Sequence, residues 1–419
     1  MEHFTTGNKV ELLRNGAEFF PALIEAIDAA EGEVWLETYI FADDVSGRAV
    51  AAALVGAAQR GVAVRVLVDG WGARQYLTPA LAQMLAAGGV RLMKYRPEVA
   101  PWQFRLHRLR RLHRKICHVD SRVAFVGGIN LIDDMNTPGQ KPPRVDFAVR
   151  VTGPVVAPIV ATMQRLWALC ELVQLDRSEV PLFPDAIRVE RSGNQTAKFV
   201  IRDNLRYRRD IERAYLAAIR TAKQEIIIAN AYFFPGVRFR HALMAAARRG
   251  VAVTLLLQAR VEYRLLHYAS RALYGQLLAA GVVIAEYHRS FLHAKVAVID
   301  DRWATVGSSN IDPYSLLMAR EANIFVRDPH FADQLRIELL EMIDTGTRHV
   351  EPRRWATRNL VAKAAAWIAY GMVRLGMGLM GYGGQEFFPK RPRRVPAAAD
   401  ATASAPPPPS GNPPSPPPS

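Results

Sequence analysis

One arrangement of residue types occurs twice along this chain. His113 and Lys115 are followed by Asp120, Gly127, Gly128 and Asn130, and His293 and Lys295 are followed at the same steps by Asp300, Gly307, Ser308 and Asn310. Both copies read H-x-K-x4-D-x6-G-[GS]-x-N without a slip in any spacing. Near neutral pH, histidine can serve as a neutral nucleophile or as a protonated acid. Lysine and asparagine place positive charge and neutral donors around anionic oxygens. Two copies can therefore build one symmetric site for a phosphodiester. One imidazole attacks phosphorus, the other serves the leaving oxygen, and a covalent phosphohistidine splits a hard displacement into two easier ones. No cofactor or metal is required by this chemistry, and the sequence carries neither H-E-x-x-H nor a paired-cysteine motif. A single histidine on a strand is usually only a satisfied polar group. Two at identical spacing, each followed by G-[GS]-x-N, argue for function.

The elements around the motifs repeat as well. In the first half we expect strands over residues 8–13, 33–41, 62–68 and 90–95 and helices over 17–30, 46–60 and 79–87. In the second half the same order gives strands over 197–202, 225–233, 251–253 and 282–287 and helices over 208–222, 237–249 and 265–280. Tyr232 stands where the first half has Tyr39, and glycines 61, 88, 89, 250 and 281 close the helices. Strands alternating with helices argue for α/β architecture with a mixed or parallel sheet, built twice. The motifs fall on apolar strands (116–119 and 296–299, then 123–126 and 303–306), so alternation would put His and Lys on one strand face. Gly128 and Ser308 end the second strand of each pair, where backbone can approach a ligand, and with Asn130 and Asn310 they are candidate phosphate-binding residues. Asp146 and Glu321 occupy matching places at the entry to later strands and are candidates to orient the histidines by triad logic. Asp120 and Asp300 lie at strand ends beside turns, which argues for a hydrogen-bonding role.

The chain has 419 residues and a formal net charge of +15, a balance that points to an anionic partner. Two cysteines, Cys117 and Cys170, make no disulfide framework and suit a reduced compartment. The N-terminus has no apolar run after a basic start, so no signal peptide is expected. The step from Tyr95 to His113 is longer than its counterpart, and the insertion carries Trp102, Phe104, Arg105, His107, Arg108, Arg110 and Arg111. We expect a basic loop beside the site that recruits anionic substrate or membrane. Four segments follow: 1–176 and 177–345, each with one motif; 346–394, basic and apolar; and 395–419, an Ala/Pro-rich disordered tail. Within the third, residues 361–383 form a marginal apolar stretch interrupted by Arg374, with Lys390, Arg391, Arg393 and Arg394 beyond it. An interfacial helix on anionic lipid fits this pattern better than a clean span.

These residues resemble those of the phospholipase D superfamily, whose hallmark is the duplicated HKD motif. The likeness covers roughly residues 8–345. Gly127-Gly128-Ile129-Asn130-Leu131, Asp133-Asp134, Asp312-Pro313, Ser315 and Glu321-Ala322-Asn323 resemble bacterial cardiolipin synthases more than nucleases or secreted phospholipases. The likeness implies two phospholipase D-like α/β domains packed together with one shared active site at their interface. It implies transfer of a phosphatidyl group, from a phospholipid such as phosphatidylglycerol, to a glycerol-type hydroxyl through a phosphatidyl-histidine. It assigns the catalytic set His113, Lys115, Asp120, His293, Lys295 and Asp300, with His113 as nucleophile and His293 as acid and base. The partners it implies are anionic phospholipids and a membrane surface, not nucleic acid. The location it implies is the cytoplasmic face of the inner membrane, held peripherally or by the C-terminal segment. The chain starts at the catalytic repeat, as in a short synthase type without N-terminal transmembrane helices, and Tyr314 replaces the Arg of a common D-x-R-S pattern. Hydrolysis by a phospholipase D or nuclease of the same superfamily is the alternative, and a surface-binding protein with a decayed site is disfavoured by two intact motifs.

Overall fold

The computed structural model describes residues 3–96, 110–174, 181, 187–203, 207–260, 264–312, 319–357 and 360–378. Trp102, Phe104, Arg105, His107 and Arg108 of the expected basic loop lie outside these residues, as do Pro313 to Ser315, the Lys390–Arg394 cluster and the tail.

The first repeat runs β1 (Thr5–Arg14), α1 (Asn15–Asp28), β2 (Glu33–Thr38), α2 (Val45–Gln59), β3 (Ala63–Asp69), α3 (Pro79–Ala87), β4 (Arg91–Tyr95), β5 (Arg111–Leu112), β6 (Lys115–Val119), β7 (Val123–Gly127), β8 (Arg144–Val145), β9 (Phe147–Thr152) and α4 (Val156–Val173). The second runs β10 (Gln195–Arg202), α5 (Asp210–Thr221), β11 (Glu225–Asn230), α6 (Val237–Arg248), β12 (Ala252–Gln258), α7 (Arg264–Ala272), α8 (Tyr274–Ala279), β13 (Val283–Tyr287), β14 (Phe291–Leu292), β15 (Lys295–Ile299), β16 (Trp303–Gly307), β17 (Ala319–Arg327) and α9 (Pro329–Gly346). After it come β18 (Thr347–His349), α10 (Pro352–Ala356) and α11 (Leu360–Met377).

One mixed sheet passes through both repeats in the order β18-β13-β12-β11-β15-β16-β17-β10-β1-β9-β7-β6-β2-β3-β4. Reading outward from the central β10–β1 pair, each strand has its counterpart in the other repeat, save β18 at the outer edge. That pair is antiparallel, and Gln195 strengthens it by accepting the Val10 N–H at 2.5 Å. A core of both repeats fills one side of the sheet. It includes Ile159, Met163 and Trp167 of α4 and Phe331, Leu335 and Leu339 of α9, helices that the sequence reading left unassigned. Separate cores under α1 to α3 and under α5, α6 and α8 fill the other side. The expected helix over 265–280 is instead two, α7 and α8, divided near Leu273.

Local chemistry repeats with the topology. Gly61, Gly89, Gly250 and Gly281 sit between helix and strand at φ +91, +87, +89 and +90°, where a side chain would strain the backbone. Asp120 and Asp300 occupy the turns between β6 and β7 and between β15 and β16, at φ +50 and +51°. Their carboxylates reach back to the loops that launch β2 and β11. Asp120 accepts the N–H groups of Glu31, Gly32 and Glu33 at 2.8–3.0 Å, and Asp300 accepts those of Lys223, Gln224 and Glu225. This corrects their place in the catalytic set. They tie two loops at the far end of the motif strands from the histidines, the hydrogen-bonding role that their strand-end position suggests. Asp120→Ala should lower stability by about 1–3 kcal/mol by orphaning backbone donors, while leaving kcat per folded molecule unchanged. Thermal unfolding beside a turnover assay checks both halves of that statement.

Candidate active site

The motif histidines do not lie on the strands that carry their lysines. β6 begins at Lys115 and β15 at Lys295, so His113 and His293 sit in the short links that precede them. Strand alternation therefore does not aim them; contacts to the opposite repeat do. The two-residue strand β5 pairs with the start of β17, and β14 pairs with β8. The His113 N–H donates to the Arg320 carbonyl at 3.0 Å, and the His293 N–H to the Val145 carbonyl at 2.8 Å. Glu321 and Asp146 are the next residues along, so each imidazole meets a carboxylate from the other repeat.

His113 Nδ1 lies 3.0 Å from Glu321 Oε1. His293 Nδ1 lies 2.6 Å from Asp146 Oδ2. An ionised carboxylate can only accept, so Nδ1 of His113 carries the proton; at His293, where Lys295 Nζ also stands 2.8 Å from Nδ1, the shorter 2.6 Å contact to Asp146 favours the same tautomer, and each Nε2 is left for chemistry. Burial works to raise Glu321, but His113, Arg202 and Lys115 outweigh it and hold its pKa down at about 2. Asp146 is likewise lowered against burial, by Lys295 and His293. Burial pushes both imidazoles below the ordinary 6.5; Lys295 adds to this at His293 and Lys115 at His113, while the carboxylates oppose it.

Both lysines are buried, at 5% and 0% exposure, which few lysines tolerate unpaired. Lys115 Nζ donates to the His113 carbonyl at 2.5 Å, and Lys295 Nζ donates to the His293 carbonyl and lies 3.4 Å from Asp146. Burial first, then Lys295, bring the Lys115 pKa down to about 7, with Glu321 and Asp146 opposing. The groups acting on Lys115 thus come from both repeats.

The candidate phosphate ligands divide. Asn130 and Asn310 are buried at 4% and 5% exposure. Asn130 Oδ1 accepts the Ile40 N–H at 3.2 Å, which leaves its amide nitrogen to donate, while Asn310 Oδ1 has no partner among the described residues. Gly128 and Ser308 require correction. Their N–H groups are spent on Phe147 and Ala322 carbonyls, and the Ser308 hydroxyl donates to Glu321 at 2.5 Å and accepts the Ala322 N–H. Gly128 makes space instead: a Cβ there would stand 2.3 Å from Asp146 Oδ1. The shorter Asp pairs with Gly and the longer Glu with Ser, which explains the one variable position of the motif.

Sequence reasoning missed several supporting groups. Asp69 at the end of β3 accepts the Leu112 N–H at 2.8 Å, and Gln258 at the matching end of β12 accepts the Leu292 N–H at 3.3 Å. Each thus fixes the residue before a motif histidine. The Tyr39 ring packs edge-on against His113 at 4.9 Å. The match between Tyr39 and Tyr232 was the available signal for it. Arg114, inside the first motif, makes a buried bidentate pair with Glu37, whereas Ala294 and Ala229 fill the same places in the second repeat.

The family described as cardiolipin synthase, PLD-like domain, matches residues 23–138 and 215–343, one match on each repeat. The chain belongs to that family. Cardiolipin synthase B of Salmonella typhi is 39% identical over 386 residues, covering 90% of each chain. Cardiolipin synthase B of Escherichia coli K12 is 38% identical over 387 residues with the same coverage. Among solved structures, phosphatidylserine synthase of Haemophilus influenzae Rd KW20 shares the fold with TM-score 0.64 at 13% identity, over 91% of this chain and 97% of that one. Cardiolipin synthase relatives thus match nearly the whole chain, and the duplicated fold extends across it.

Two outcomes follow for the site. Gly128→Ser should push Asp146 off His293 and cost about tenfold to a hundredfold in kcat, since small misplacements of a catalytic group cost that much. The charge on Lys115 is present below its pKa of about 7 and lost above it, and His113, the imidazole that must be neutral to attack, is neutral above a value lower than 6.5. A profile of kcat/KM should therefore rise on an acid limb below about pH 6.5 and fall through about pH 7–8. A flat profile over that range would exclude Lys115 as the binding charge.

Proposed function

We propose that this chain is a phosphatidyltransferase of the cardiolipin synthase type. It moves a phosphatidyl group from one phospholipid, phosphatidylglycerol being the candidate donor, to a glycerol-type hydroxyl. The observation that carries the reading is the pair of cross-repeat carboxylate–imidazole contacts at 3.0 and 2.6 Å, which leave two Nε2 atoms for one phosphodiester. On substrate binding His293 takes a proton from water at Nε2; His113 then attacks phosphorus through its own Nε2 as the bond to the leaving glycerol oxygen breaks, and the His293 imidazolium gives that oxygen the Nε2 proton. The acceptor hydroxyl then loses its proton to His293 and attacks phosphorus, and the bond to His113 breaks. Arrival of the anionic phosphate offsets Lys295 and favours imidazolium on His293. His113 suits the nucleophile because its side chain is more open, 19% exposed against 11% for His293. Lys115, Lys295 and the amide of Asn130 hold the equatorial oxygens, and Asp146 and Glu321 fix the tautomers. The reading keeps 1–176 and 177–345 as the two catalytic domains.

Phospholipid is then the substrate, and an anionic membrane surface the place of work, at the cytoplasmic face of the inner membrane. The charge of +15 supports this. So does α11, which is apolar and long enough to cross a membrane yet only 17% buried, whereas α4 passes the same test but is a half-buried core helix.

The test supplies purified protein with phosphatidylglycerol vesicles and separates products by mass, with His113→Ala and His293→Ala alongside. Cardiolipin from the unsubstituted protein and none from either variant is the expected result. Phosphatidic acid alone would move the chain to the hydrolases. Nucleic-acid cleavage without lipid turnover would overturn the reading.

A further inference from the structure

We propose that α7 and α11 together form a platform that seats on the bilayer and brings the second-repeat side of the site to the lipid surface, so that phospholipid enters beside His293. The inference rests on the transferase reading, and its test measures binding separately from turnover.

Helix α7 has no counterpart in the first repeat, where residues 70–78 make a turn between β3 and α3. Helix α11 lies along it. Ala369 and Met377 of α11 join Phe234, Ala269 and Leu273 in a buried cluster, and the rings of Phe234 and Tyr370 stand 5.5 Å apart. The other face of α11 is open, with Leu360, Ile368, Leu375 and Met372 at 79, 62, 64 and 51% exposure. Its two charged residues, Lys363 and Arg374, are not among its exposed positions. Leu265 and Tyr268 add exposed apolar surface on α7. A water-soluble surface rarely leaves a contiguous apolar patch of this kind uncovered.

Three observations select lipid as the occupant. Neither helix contains Asp or Glu, and Arg264, the first residue of α7, stands exposed, as does Arg260 four residues before it, with Glu262 between them in the sequence; the net positive charge suits anionic headgroups. One face of α11 is bound to α7, so the helix lies in the interface rather than crossing it. Finally, the platform adjoins the chemistry. Leu266, His267 and Ser270 of α7 line a small hollow together with Tyr232, Gln258 and Arg260. Gln258 is the residue that fixes Leu292, immediately before His293.

The full chain is floated with vesicles of phosphatidylcholine alone or mixed with phosphatidylglycerol. The variants are Ile368→Glu/Leu375→Glu on α11, Leu265→Glu on α7 and, as control, Val45→Glu at an exposed apolar position of the first repeat. The proposal expects binding to mixed vesicles about tenfold weaker or worse for the α11 pair, weaker for the α7 variant, and unchanged for the control. Turnover of a short-chain, monomeric phosphatidylglycerol should be the same in all four proteins. Equal vesicle binding by all of them overturns the proposal. So does a fall in oligomer size with vesicle binding intact, which would make the face a contact between copies. Vesicle binding lost in the variants, with no lipid turnover by any protein, would leave the platform standing and sink the transferase reading instead.

Discussion

The site depends on one reciprocal exchange: each motif histidine is held by the opposite repeat. The backbone of His113 is pinned to Arg320 and its ring to Glu321, while His293 is pinned to Val145 and to Asp146. A motif histidine within its own repeat has its lysine but lacks its orienting carboxylate. The rest of the architecture answers that requirement. The β1–β10 pair fuses the two sheets into one surface, and the core beneath α4 and α9 spans the seam. The parallel pairs β5–β17 and β14–β8 then set the register of each histidine against its carboxylate. Effective catalysis of a displacement at phosphorus rests on such fixed distances.

The repeats have diverged in ways that preserve this exchange. A buried Arg114–Glu37 pair in one half is two alanines in the other. Both partners differ together, as they must, because removing one would strand a buried charge, whereas replacing both is close to neutral. Asp146 with Gly128 and Glu321 with Ser308 are two solutions to one spacing problem, one reach shorter and the other longer. A larger difference lies beside the second motif, where this repeat carries α7, on which α11 rests, and the first repeat has a turn.

Much of this was legible in the sequence because it is written twice. Repeated spacing exposed the histidines and lysines, and matching positions singled out Asp146 and Glu321 before any contact was visible. Helix-ending glycines placed the connections, since only a residue without Cβ is comfortable at φ near +90°. Strand alternation misled at His113 and His293, because both stand before their strands and are aimed by long-range backbone pairing. Gly128 and Ser308 looked like phosphate ligands because their hydrogen bonds to Phe147 and Ala322 come from the sheet, not from local sequence. Asp69 and Gln258 escaped notice for a related reason: one is a carboxylate and the other an amide, and only their shared use as acceptors makes them equivalent. Helix α4 is apolar around much of its surface, so it offered no clear amphipathic period to read.

The most direct test of the shared two-histidine site is to trap the intermediate. The unsubstituted protein would be mixed with phosphatidylglycerol, quenched at alkaline pH, and its peptides mapped by mass, with His113→Ala treated in parallel. The account predicts a phosphatidyl adduct on His113 in the first protein and none on His293 or elsewhere in the second. No adduct on either histidine, or an adduct on a residue outside the two motifs, would contradict it.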